Sequence, residues 1–147
     1  MYSARVEVGF SAAHYLNDYN GKCENLHGHN YKVRVWVKGQ SLGYSGMLAD
    51  FSILKKILRE ICIKLDHSNL NEIKIFNNNP SSERIAKYIY EQFKKILSGY
   101  NIETSILNAV DVFETETSMA RYGESKYPAK GRGLLKSILK TIDRTGI

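Results

Sequence analysis

Cysteine, proline and tryptophan are scarce in this chain: two, two and one in 147 residues. Two thiols, Cys23 and Cys62, are too few for a disulfide framework, so a reducing cytoplasm is the expected compartment. No stretch approaches the roughly 18 consecutive apolar residues that a membrane span requires. The opening MYSARVEVGF has no basic start, apolar run or small-residue cleavage site, so no signal peptide is expected. Internal repeats and low-complexity tracts are absent too. The length is that of one domain with enough chain to bury a real core.

Positive charge is also scarcer than the total suggests. The net charge is +6, yet residues 125–147 hold Lys126, Lys130, Arg132, Lys136, Lys140 and Arg144 against Asp143 alone. That extension carries +5 and leaves only +1 for residues 1–124. The basicity therefore says little about the main domain, and nucleic acid is not its expected partner. Within the extension, Leu134, Leu135, Ile138, Leu139 and Ile142 make an apolar stripe with Lys136, Lys140 and Arg144 outside it. A short basic amphipathic helix is predicted there. It would dock on its own oligomer, with an anionic partner or membrane surface as the alternative.

Periodicity sets the fold class. Val6, Val8, Phe10 and Ala12 alternate with polar residues and predict a strand from about Arg5, whose parity His14 continues. Tyr31, Val33, Val35 and Val37 predict a second strand over about 27–38, with His27 and His29 on the face of the valines. Asp50 or Ser52 can cap a helix bearing Phe51, Leu54, Ile57, Leu58, Ile61 and Leu65 at helical spacing. LDHSNLNEI reads as a polar break. A second helix starts near Pro80-Ser81-Ser82, repeats at Ile85, Ile89, Phe93, Ile96 and Leu97, and stops at Gly99. Strands over 106–114 and 118–122 complete a ββααββ order. That order argues for an α+β domain, a four-stranded antiparallel sheet with both helices on one face.

The chemistry concentrates in CENLHGHN, residues 23–30, with one of the two cysteines and half of the four histidines. His-x-His on a strand puts two imidazoles on one face, about 7 Å apart by strand rise. His14, at the end of the neighbouring strand, can supply a third ligand. Three histidines with no fourth protein ligand form the pattern of catalytic zinc, which keeps a position open. The alternative reading is a polar loop with two ordinary histidines. Cys62 lies beside the apolar stripe of the first helix and is expected to be inert core.

FSAAHYL, CENLHGHNYKV, LDHSNLN, NPSSERIAKYI and VFETETSMARY, in that order, closely resemble the 6-pyruvoyltetrahydropterin synthase family, including its 6-carboxytetrahydropterin synthase branch. The resemblance covers about residues 3–124. It implies the tunnelling fold, in which three subunits join their sheets into a barrel and two trimers stack into a hexamer, with active sites between subunits. By position, His14, His27 and His29 match the zinc ligands. Cys23 matches the catalytic thiol, and Asp66 and His67 match the pair that completes its relay. Glu114 matches the carboxylate that anchors the pterin, and Ser81 and Ser82 match hydroxyls contacting it from a neighbouring subunit. The implied substrate is 7,8-dihydroneopterin triphosphate.

Three residues separate Cys23 from HGH, as in the carboxy-tetrahydropterin synthases that feed queuosine or archaeosine synthesis; animal-type pyruvoyl synthases generally have five. Glu24 also fits a third branch, E-x-x-H-G-H, which forms 6-hydroxymethyl-7,8-dihydropterin for folate synthesis. The chain therefore resembles a C-E-x-x-H-G-H subgroup in which Cys23 and Glu24 could serve as alternative bases. Adjacent residues in a strand point oppositely, so both reach one substrate only from an irregular loop. The rival to catalysis is a binding module in which zinc is purely structural.

Overall fold

Alternating β-branched and polar residues make the two longest elements, strands β1 (Tyr2–His14) and β2 (His27–Gly39). They pair antiparallel along their whole length, from Tyr2 opposite Gly39 to His14 opposite His27. The computed structural model describes residues 1–17, 21 and 24–125. Cys23 and the predicted amphipathic helix of the extension lie outside the described residues. Helix α1 (Phe51–Cys62) follows, then a two-residue strand β3 (Ser68–Asn69), helix α2 (Ser82–Ser98), and strands β4 (Leu107–Thr115) and β5 (Ser118–Tyr122). The sheet order is β3-β1-β2-β4-β5.

The four predicted strands form the antiparallel sheet, and both helices pack on one face of it. Strand β3 adds a fifth member, parallel to β1 at Ala12 and Ala13. A two-residue strand is too short to show a period, so LDHSNLNEI read as a break. β1 also begins at Tyr2 rather than Arg5, because backbone pairing with β2 continues where the alternation fades.

Burial follows the predicted parity. Val6, Phe10, Val33 and Val35 lie beneath Leu54, Ile57, Leu58 and Ile61 of α1 and Ile85, Ile89, Phe93 and Leu97 of α2, all buried. Apolar area removed from water at about 25 cal/mol per Å² drives this packing. Phe51, in the first turn of α1, is exposed, and Leu65 is buried just beyond the end of that helix. Asp50 caps α1, accepting hydrogen bonds from the Ser52 backbone and hydroxyl, both at 2.7 Å. Ser81 caps α2 by accepting the Arg84 N–H. Gly99 stays right-handed, and the left-handed turn falls on Asn101, with φ 55°.

An asparagine cluster ties the exit of β1 to the start of α2. Asn71 accepts the Tyr15 N–H at 2.8 Å and donates to the carbonyls of Tyr15 and Asn78. The Asn17 N–H donates to Asn79 Oδ1 at 2.8 Å. Asn77 and Asn78 take left-handed backbone, with φ 49° and 57°, which asparagine tolerates better than most residues. This chain of bonds holds the start of α2 against His14. Among the described residues no helix is long and apolar enough to cross a membrane.

Candidate functional site

Where the core runs out, the helix-facing surface of the sheet turns from aliphatic to imidazole. Phe10 and Tyr31 stack at 4.8 Å between ring centroids, and Tyr31 meets His14 and His29 edge-on. Beyond that aromatic floor lie His14, which is buried, and His27 and His29, which are partly buried.

Two of these imidazoles have their tautomers set by the backbone. His14 Nδ1 lies 2.9 Å from the Pro80 carbonyl, and His27 Nδ1 lies 2.6 Å from the Asn25 carbonyl. A carbonyl only accepts, so both Nδ1 atoms carry the proton in the neutral ring and both Nε2 atoms carry lone pairs. These two Nε2 atoms stand 3.1 Å apart. Two facing lone pairs at that distance repel unless a proton on one ring or a metal ion lies between them. Two nitrogens bound tetrahedrally to one zinc at about 2.0–2.1 Å would stand about 3.3–3.4 Å apart. The residues therefore fit a metal ion, with both rings oriented by a second hydrogen bond as metal-ligating histidines usually are.

His29 extends the set. Its Nε2 is buried, makes no aligned hydrogen bond among the described residues, and lies 3.3 Å from Glu114 Oε1. Burial pushes the His29 imidazole toward its neutral, ligating form, and His14 and His27 add to this. The Glu114 charge opposes it without prevailing. One ligand atom from each of His14, His27, His29 and Glu114 can be chosen so that all lie within 4.8 Å of one another, a group that could hold a metal. Glu114 is the extra residue of a bulge between β4 and β5, where the register shifts between Phe113 and Thr115. Such bulges re-aim a side chain. Its Oε2 accepts the Ser82 hydroxyl at 3.1 Å, while Ser81 serves as the cap of α2.

The other predicted residues share no hydrogen bond or ion pair with this cluster among the described residues. Asp66 Oδ1 accepts the Ser11 N–H at 2.8 Å, and Asp66 Oδ2 lies 2.8 Å from His67 Nδ1. The Ser11 N–H first, and then the His67 hydrogen bond, hold the Asp66 carboxyl below its ordinary range. His67 has φ 53° and a side chain 84% exposed, and it borders a 490 Å³ cavity with Ser11, Gly28, His29 and Asn30. No hydrogen bond or ion pair joins it to the three histidines among the described residues. Glu24 is exposed in a turn whose N–H donates to the Gly21 carbonyl at 3.1 Å. Cys62 is buried as expected, and burial, with the Asp66 charge, pushes its thiol up to about 12.

Sequence reasoning missed the two orienting carbonyls and the approach of Glu114 to the histidines. Backbone acceptors leave no residue signature. The parity of Glu114 with Val110 and Val112 was the available clue to the face it shares.

A sheet backed by two helices, with a metal-competent histidine cluster at its end, defines an α+β enzyme scaffold. The family model for 6-pyruvoyl tetrahydropterin synthase matches residues 3–125, and the chain belongs to that family of pterin synthase enzymes. The 6-carboxy-5,6,7,8-tetrahydropterin synthase of Synechocystis is 38% identical over 122 residues, 79% of this chain and 88% of the relative. The human 6-pyruvoyl tetrahydrobiopterin synthase is 35% identical over 130 residues, 78% of this chain and 86% of the relative. Among solved structures, the 6-pyruvoyl tetrahydropterin synthase of Caenorhabditis elegans superposes with a TM-score of 0.74 at 31% identity, covering 84% of this chain and 96% of that one.

Proposed function

We propose that the chain converts 7,8-dihydroneopterin triphosphate to 6-carboxy-5,6,7,8-tetrahydropterin, with zinc held by His14, His27 and His29. The observation that carries this reading is the pair of carbonyl-oriented imidazoles whose Nε2 atoms face each other at 3.1 Å. Bound there, zinc supplies Lewis acidity toward the oxygens of the substrate side chain. His67 handles a proton: Asp66 accepts its Nδ1–H, which leaves Nε2 as the basic atom. Cys23, in the sequence beside the cluster, is the second proton-handling group, because a nearby cation lowers a thiol pKa. Glu114 orients the pterin, since a carboxylate can accept two parallel N–H bonds from an amino-pyrimidinone edge. Ser81 and Ser82 lie at the same end of α2 and add hydroxyls to that pocket.

The exposure of His67, which has no hydrogen bond or ion pair to the three histidines among the described residues, supports a site shared between chains. Strand β1 pairs on its outer side only at Ala12 and Ala13, and β5 closes the opposite end of the sheet. Two such edges let sheets join head to tail into a closed ring, a trimer or hexamer that brings one chain's His67 to another's cluster. The compartment proposed is the cytoplasm, and the product would feed queuosine or archaeosine synthesis.

Curated relatives of comparable identity carry both names, 6-carboxy and 6-pyruvoyl, so overall likeness does not choose between the products. The three-residue spacing from Cys23 to His27 favours the carboxy product. A second activity, formation of 6-hydroxymethyl-7,8-dihydropterin with Glu24 as base, is favoured by one observation: Glu24 lies in an exposed turn. The strict alternation of a strand therefore does not force it away from its neighbour Cys23.

Product analysis by mass spectrometry tests the reading, using zinc-loaded protein, Cys23→Ala and Glu24→Ala. The expected result is a 6-carboxy product lost with Cys23. A hydroxymethyl product lost with Glu24 establishes the second activity. A 6-pyruvoyl product would shift the assignment to the other named branch. No turnover by an intact, zinc-loaded oligomer would return the protein to a binding role.

A further inference from the structure

The two oxygens of the Glu114 carboxylate have different nearest partners. Oε1 lies 3.3 Å from the buried Nε2 of His29, whereas Oε2 accepts the Ser82 hydroxyl at 3.1 Å and stands further off, 3.8 Å, from His14 Nε2. On the Ser82 side, a 300 Å³ cavity is lined by Leu16, Ser81, Ser82, Glu114, Ser118 and Ala120. Glu114 thus stands on the seam between a metal-competent cluster and a cavity of mixed lining, in which the hydroxyls of Ser81, Ser82 and Ser118 accompany apolar side chains and the Glu83 carboxylate. The same lone pairs serve either a cation or a pair of N–H donors. A carboxylate turned fully toward one is unavailable to the other.

His29 Nε2 indicates which side holds it before substrate arrives. That nitrogen is buried without an aligned hydrogen bond among the described residues, an arrangement costly unless something completes it. A cation shared by the three Nε2 atoms and Glu114 Oε1 completes all four at once. Three histidines and one carboxylate then make a closed tetrahedral shell, whereas catalysis needs an open position. The bulge at Glu114 interrupts the β4–β5 ladder at this residue and makes a change of aim inexpensive there.

We propose that Glu114 is an exchangeable ligand. Without substrate, its Oε1 closes the metal shell with His14, His27 and His29. Binding of a pterin draws the carboxylate onto the pyrimidinone edge and opens that position, with Ser82 holding Oε2 as the pivot. Ser82 is therefore a positioning residue, acting through Glu114. The inference rests on the metal-centre reading above. Its thermodynamic consequence is reciprocal: a pterin with no side chain of its own weakens metal binding, and the metal weakens pterin binding by the same factor.

Cobalt(II) in place of zinc provides a spectroscopic test on the full chain. Co²⁺ affinity is measured by competition with a chromophoric chelator, and the visible absorption is recorded with and without unsubstituted pterin. Glu114→Gln is expected to weaken Co²⁺ binding by about tenfold or more and to shift the absorption. Ser82→Ala should move both readouts in the same direction, and Ser82→Thr should restore them. Added pterin should shift the wild-type absorption toward that of Glu114→Gln. The wild-type titration needs no variant, so it decides the matter even if a substituted protein fails to fold. Stoichiometric Co²⁺ binding with an absorption indifferent to pterin and to Glu114→Gln would overturn the exchange and leave the three-histidine site standing. Failure of the wild type to bind Co²⁺ would overturn both.

Discussion

Exchanging Asp66 for asparagine changes one oxygen into an amide nitrogen, and it should remove most turnover while the fold survives. The two carboxylate oxygens have separate partners, the Ser11 N–H at 2.8 Å and His67 Nδ1 at 2.8 Å. The Ser11 N–H can only donate, so the asparagine oxygen must remain on it. The amide NH₂ then faces His67 Nδ1, which must become an acceptor and pass its proton to Nε2. That is the nitrogen we propose takes a proton from substrate. A base in the wrong tautomer loses the contribution of general-base catalysis, about 10²–10⁴ in rate. The bond to Ser11, which fastens the sheet edge, is kept. The assay is steady-state turnover alongside urea denaturation and zinc content. The expected result is kcat lowered by about 10²-fold or more, with KM, zinc content and urea midpoint near wild type. Wild-type kcat in a protein that carries Asp66→Asn would refute the tautomer argument and take His67 out of the proton chemistry.

Two further outcomes concern groups away from the site. Asp111 is buried on the helix-free face, where it accepts Trp36 Nε1–H at 2.7 Å and a two-pronged contact from Arg121 at 2.6 and 2.9 Å. Asp111→Ala strands the indole N–H while Arg121, half exposed, returns to water, so a loss of about 2–3 kcal/mol is expected in urea denaturation at fixed protein concentration. Burial alone would raise the Asp111 carboxyl. Hydrogen bonds from Arg121 and Trp36, with the charges of Arg121 and Arg34, prevail and hold it below the ordinary value. A lowered folded pKa means stability fully present above the unfolded value of about 3.9 and lost as pH falls through the folded one, so the variant's deficit should shrink in acid. Cys62, with its thiol pushed up to about 12, has about 10⁻⁴ of its population as thiolate near pH 8 and is also buried. It should resist a disulfide reagent until the protein unfolds; rapid native labelling of Cys62, located by peptide mapping, would contradict its placement in the core.

Much of the fold was readable because burial leaves a period. Val6 through Ala12 and Tyr31 through Val37 alternate, and Ile85 through Leu97 recur at helical spacing, because each element has one apolar side to hide. Strand β3 and the asparagine cluster left no such mark, since they are held by particular polar bonds rather than by a repeated apolar face. At the site, parity placed His14, His27 and His29 on one surface correctly. It was silent on the carbonyls of Pro80 and Asn25, because any residue supplies a carbonyl. The hydroxyl of Ser82 on Glu114 escaped for a related reason: the pairing spans 32 residues and is created by a bulge, which no alternation announces.

The position of the cluster follows from those same unannounced bonds. His27 and His29 belong to one strand, but His14 is useful only if its ring is turned, and the turning group is the carbonyl of Pro80. Pro80 leads directly into α2, whose first turn carries Ser82, which holds Glu114. The N-terminus of that helix carries partial positive charge and favours a carboxylate beside it. One short segment therefore orients a ligand on β1 and a carboxylate on β4. The clamp from Asn71 and Asn79 to Tyr15 and Asn17 fixes where this segment sits. The asparagines of residues 69–79 accordingly do more than fill a loop. They convert the packing of α2 on the sheet into the geometry of the candidate metal site, so disturbing them should be felt in metal affinity before it is felt in the core.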